Sequence, residues 1–163
     1  MGYYVLIEES TVVLPKEHLD NVWKRWTEMN SSKYNNIKSG GSWEKGEKKA
    51  FWYSWLSEKY DTELSGAEEL LKELGFEYSK NKQGIVINSY DGKTGQEDLF
   101  FKKIADLIPA NQYIKWKGED GNKYNWFFDE KNLNEVSDKQ LKSLLKPSSE
   151  KKENNKKDLK NKL

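Results

Sequence analysis

Apolar positions change period several times along the chain, and the changes outline its elements. Tyr3–Glu8 (YYVLIE) is apolar on both alternating faces, Tyr3/Val5/Ile7 and Tyr4/Leu6, which predicts a strand at a central position. The β-branched run Thr11–Leu14 extends or re-pairs it. Past Pro15, which suits a first helical turn, Leu19, Val22, Trp23, Trp26 and Met29 recur at helical spacing. Asn30 offers this helix a left-handed stop. Ser31–Lys49 has no periodicity and, with Gly40-Gly41, reads as a long loop. Ala50–Leu56 (AFWYSWL) reads as a strand with Trp52 and Trp55 on opposite faces.

Three further helices are announced by capping boxes: Ser65…Glu68, Thr94…Glu97 and Ser137…Gln140. The first carries Leu70, Leu71 and Leu74 and closes at Gly75. The second carries Leu99, Phe100, Ile104, Leu107 and Ile108 and closes before Pro109. Each of these two is followed by a hairpin, Phe76–Tyr90 and then Gln112–Asp129, so a helix–hairpin unit occurs twice. The order predicts one α+β domain over residues 1–146, a mostly antiparallel sheet with helices packed on it.

The last hairpin also yields a register. A two-residue Asp120-Gly121 turn would mix lysines with Tyr124, Trp126 and Phe128 on one face. A three-residue Glu119-Asp120-Gly121 loop, with Gly121 left-handed, instead sets Trp116 opposite Tyr124 and Ile114 opposite Trp126. That pattern separates apolar from polar cleanly and is the one expected. Its outer face carries Tyr113, Lys115, Lys117, Lys123, Asn125 and Phe127, with Lys117 facing Lys123. Read for function, this is a basic patch with aromatic rings, suited to stacking bases or receiving an acidic protein surface. The plainer reading is a solvated sheet face with lysines that discourage aggregation.

Composition changes this picture at the ends and in the core. Leu, Ile, Val and Phe are only 35 of 163 residues and the mean hydropathy is −1.02, but 7 Trp and 9 Tyr supply apolar area. The core should therefore be heavy in aromatics. Residues 147–163 are dense in Lys, Asn and Glu and are expected to be a disordered tail. From Lys146 onward 7 Lys face 3 acidic residues, so the formal net charge of +1 divides into a −3 body and a +4 tail. That body is too weakly acidic for DNA mimicry. Arg25 is the single arginine, which leaves nucleic-acid binding to Lys and ring stacking. There is no cysteine, and no apolar run approaches the roughly 18 residues of a membrane span. With no signal-peptide pattern in Met1–Ser10, the expectation is a cytoplasmic protein with no membrane association.

Catalytic chemistry finds little to work with. His18 is the sole histidine, so no triad or paired-His metal site can be assembled. Gly92-Lys93-Thr94 resembles a phosphate loop, but Ile87 stands where the motif needs glycine. Asp120-Gly121-Asn122 suggests a calcium loop, yet Tyr124 and Asn125 occupy required positions. Carboxylate pairs at Glu68/Glu69 and Glu97/Asp98 suit helix first turns, and none is singled out for catalysis. No cofactor is expected. Trp43, in the polar segment beside Gly40-Gly41, and Trp55 are candidate contact residues, because exposed tryptophans anchor interfaces.

Met1-Gly2-Tyr3-Tyr4 at the start, and Gly118-Glu119-Asp120-Gly121 followed by Trp126, resemble a set of small, largely uncharacterised proteins of bacteria and their phages. The resemblance covers most of residues 1–130 in layout and carries no catalytic residues. It implies a phage or mobile-element setting, in which small proteins inhibit host defence complexes. The expected function is thus a non-enzymatic protein-binding inhibitor, counter-defence (anti-CRISPR-like) in type. The alternative is a single-stranded nucleic-acid-binding module using the Lys/aromatic hairpin; a carboxylate-dependent enzyme is the third.

Overall fold

The computed structural model describes residues 2–146; the tail expected at 147–163 lies outside them. β1 (Tyr4–Ser10) sits mid-sheet, paired antiparallel with β6 (Gly84–Lys93) and β7 (Gln112–Gly118). β2 (Val13–Pro15) re-pairs along β6. Ile85 pairs with both Leu14 and Lys80, so β5 (Phe76–Lys80) occupies the opposite edge of β6. β8 (Lys123–Phe128) follows β7, and β9 (Leu133–Val136), a strand the pattern did not announce, closes the far edge. Every pairing is antiparallel. The predicted register holds: Ile114 faces Trp126, Trp116 faces Tyr124 and Lys117 faces Lys123.

One helical layer packs on the face carrying Trp116. It comprises α1 (Leu19–Glu28), the short α2 (Tyr60–Glu63), α3 (Ala67–Leu74) and α4 (Glu97–Lys103). The expected aromatic core forms here. Trp26 of α1 meets Phe100 and Phe101 of α4 edge-on, and Phe101 meets Phe76, Trp126 and Phe128 of the sheet. Edge-to-face rings contribute beyond their buried area. Trp26 also donates its indole N–H to the Phe100 carbonyl at 2.8 Å, so burial leaves no orphan donor there.

Local signals fared unevenly at the helix ends. Ser137…Gln140 is a complete capping box for α5 (Asp138–Leu144), and Gly75 ends α3 in the left-handed conformation. Pro15 instead ends β2, and a 3-10 turn, Lys16–His18, precedes α1. Asn30 is not left-handed. The end of α1 is tied by side chains from elsewhere: Tyr60 donates to the Trp26 carbonyl at 2.6 Å and Tyr53 to that of Met29 at 2.7 Å. Burial pushes Tyr53 up to about 12. α3 begins after Gly66 with Ser65 bonded to Glu69, and α4 begins after Gln96 rather than Thr94.

The larger departure is at 31–56. The expected loop contains a 3-10 segment, Ser32–Ile37, and a hairpin of β3 (Gly40–Glu44) and β4 (Glu47–Trp52). Lys45 and Gly46 both have positive φ, as a two-residue type I′ turn requires. This two-stranded sheet pairs with no strand of the large one. β4 ends at Trp52, so Trp55 does not lie on it; Ser54 turns the chain with φ 42. Among the described residues no helix is long and apolar enough to cross a membrane.

Candidate interaction surface

The outer face of β7–β8 differs from a basic patch because of what lies beside it. β1 pairs with β7 and brings Glu8 and Glu9 to the same lysines: Lys115 meets Glu9 at 3.4 Å and Lys123 meets Glu8 at 3.7 Å. Tyr113 donates its hydroxyl to Glu9 at 2.8 Å, and burial with that bond raises its pKa. Lys117 is exposed beside Leu6 of β1. Phe127, expected outside as a contact ring, is buried at 4% exposure. α5 packs over β8 on this face, and Asn125 donates to Asp138 at its start and to the Val136 carbonyl. Tyr4 and Leu6 remain exposed on the outer face of β1, so that strand is central in pairing but covered on one side only.

Trp55 is half-exposed yet engaged. Its indole N–H donates to the Glu73 carbonyl at 3.2 Å, and its ring lies close over Gly95. It joins the end of α3 to the segment before α4.

Among the described residues Trp43 is the most exposed large apolar side chain, at 66%. It does not sit in a loop but on β3, opposite Lys48 of β4, next to a register shift. Two residues away in the strand is Gly41, facing Phe51, and the Lys48 stem runs across the space a Gly41 side chain would fill. The Lys48 ammonium lies 5.1 Å from the Phe51 ring and donates to the Lys38 carbonyl at 2.8 Å. Trp43, Lys48 and Phe51 thus form a short aromatic–cationic strip. Lys48 and Phe51 escaped the sequence reading; the Lys45-Gly46 turn between runs of five and six residues was the signal that could have shown them.

Under the hairpin base, Lys38 is 5% exposed. Its ammonium donates to the Asn30 carbonyl and the Asn35 side chain, both at 3.0 Å, and lies over the Tyr53 ring. Desolvation lowers its pKa.

The other chemical candidates have structural partners. Gly92 and Lys93 finish β6 and Thr94 follows it, so the glycine and lysine lie on a strand rather than in a phosphate loop. Asp120 accepts from the Asn122 backbone and side chain within the hairpin loop, and Tyr3 donates to it; that bond holds its carboxyl below the usual range. Glu68 pairs with Lys80, Asp98 with Lys102, and buried Glu97 accepts from Thr94 and Gly95. Among the described residues no cluster of three or more His, Cys, Asp or Glu could hold a metal ion. No family model, curated protein or solved structure matches this chain.

Proposed function

We propose that this chain is a non-enzymatic binding protein that engages a protein partner through the Trp43 strip of the β3–β4 hairpin. The observation supporting this is Trp43 itself, two-thirds exposed on a self-paired hairpin and flanked by Lys48 and Phe51. A tryptophan carries up to about 250 Å² of burial, and covering the open two-thirds is worth at most about 4 kcal/mol at about 25 cal/mol/Å². That is the scale of an interface hot spot. The finer reading is a cytoplasmic inhibitor of phage or mobile-element type acting on a host defence complex; it rests on the resemblance of the chain's first residues and last hairpin.

The test is capture from the native host with tagged wild-type protein and Trp43→Ala in parallel, then titration of the purified partner against both. A defence subunit bound at least about 30-fold more weakly by the variant would support the proposal. Equal binding by both forms would overturn it. Recovery of nucleic acid alone, with affinity falling steeply in salt, would favour the alternative module. That module is less well served by the geometry, since Glu8 and Glu9 accompany its lysines and Phe127 is covered.

A further inference from the structure

Both legs of the Trp43 hairpin meet the body at one side chain. Gln96 occupies the cap position of α4. Its Oε1 accepts from the Ser39 N–H at 3.0 Å, the Ser39 hydroxyl at 2.8 Å and the Ser54 N–H at 3.1 Å. Its Nε2 donates to the Ile37 carbonyl at 2.6 Å. Ser39 directly precedes β3, and Ser54 lies two residues beyond β4. A single amide therefore uses its acceptor and a donor to bind the chain entering and leaving the hairpin.

The surroundings reinforce that arrangement. Ser54 is held at φ 42, a conformation that residues with side chains adopt only when neighbours impose it. Trp55 then folds over Gly95, the residue before Gln96. Further ties run from Lys48 on β4 to the Lys38 carbonyl, from Lys38 to the Asn30 carbonyl and from Tyr53 to the Met29 carbonyl. An isolated two-stranded hairpin is marginal in water, so its direction depends on such attachments.

We infer that Gln96 is the positioning residue that fixes the direction in which the hairpin leaves the body, so that Trp43 is presented to a partner already ordered. The presentation of Trp43 rests on the proposed binding role; the latch does not. Ordering a loose hairpin on binding would subtract from affinity, and a latch set in the free protein removes that loss.

The test uses the full chain as wild type, Gln96→Ala and Gln96→Glu, with amide hydrogen exchange and circular dichroism on the free protein. Gln96→Glu keeps the acceptor for Ser39 and Ser54 but turns a carboxylate oxygen, which cannot donate, toward the Ile37 carbonyl, so it is only a partial rescue. The expected result is that Gln96→Ala speeds exchange across 40–52 by about 10- to 100-fold while β1, β6 and β7 are unchanged. Gln96→Glu should recover part of that protection, through the Ser39 and Ser54 contacts it keeps. Unchanged hairpin exchange in Gln96→Ala overturns the inference, as does acceleration of the large sheet to the same degree. Loss of the binding proposal, through a Trp43→Ala variant of full affinity, would leave these exchange results where they are.

Discussion

Gly46 and Gly121 form a matched pair that tests whether the hairpin is energetically separate from the large sheet. Each is a left-handed residue of a hairpin turn, with φ 81 and 87, and a Cβ added at either meets nothing within 4 Å. Substitution by alanine therefore acts through the backbone alone. Forcing an L-residue left-handed costs about 1–2 kcal/mol, and the stiffer unfolded chain returns part of that, leaving about 1 kcal/mol at each site. The consequences should differ. Gly121 joins β7 and β8, whose inner faces bury Trp116 and Trp126, so its loss falls on the whole domain. A loss of 1 kcal/mol lowers Tm by about 2–4 °C in a domain of this size. At Gly46 the loss is capped by what the closed hairpin tip itself contributes. Gly46→Ala should move Tm by less than about 1 °C while speeding amide exchange in 43–48 roughly five-fold. Calorimetry and exchange on both variants decide the matter. Equal Tm shifts would refute the reasoning, because the hairpin would then melt with the sheet as one unit.

Other contacts give sharp expectations. Ser137→Ala removes the acceptor for the Gln140 N–H and should lower stability in urea by about 1 kcal/mol, with Ser137→Asp restoring it; no loss would show that α5 does not share the cooperative transition. Arg25 bonds Asp106 at 2.5 and 3.1 Å, and this hydrogen bonding holds the carboxyl below its ordinary value of 3.8. A lowered folded pKa stabilises above the unfolded value and is lost as pH falls through the folded one. With Asp106 half-exposed, Asp106→Asn should cost about 0.5–1 kcal/mol at pH 7, and the gap to wild type should close as pH falls through the lowered carboxyl pKa, below 3.8. A gap that persists unchanged in acid would assign the loss to something other than the ion pair.

The features legible in the chain were those whose cause is local or lies between adjacent strands. The β7–β8 register followed from Ile114, Trp116, Tyr124, Trp126 and Phe128 sharing one face only if Gly121 is the left-handed residue of a three-residue loop. Gly75 and the Ser137 box worked for the same reason, since each acts within a turn or two. The β3–β4 hairpin was not legible, because its alternation does not separate a buried face from a solvated one. With no core beneath it, hydrophobic period carries no signal, and only the Lys45-Gly46 turn remained. Asn30 misled because α1 ends against Tyr53 and Tyr60, more than twenty residues away.

The candidate surface divides along the same line. Sequence alone determined that a strip of Tyr113, Lys115, Lys117, Lys123 and Phe127 shares one face of a hairpin, and that Trp43 has no core pattern around it. Only the tertiary structure decided what each faces. β1 delivered Glu8 and Glu9 to the lysines, α5 packed on β8 where Phe127 is buried, and Gln96 bonded both legs of the hairpin that leaves Trp43 in solvent. The physical reason is that side-chain period reports which residues point the same way, whereas charge balance and exposure depend on elements brought there from elsewhere in the chain.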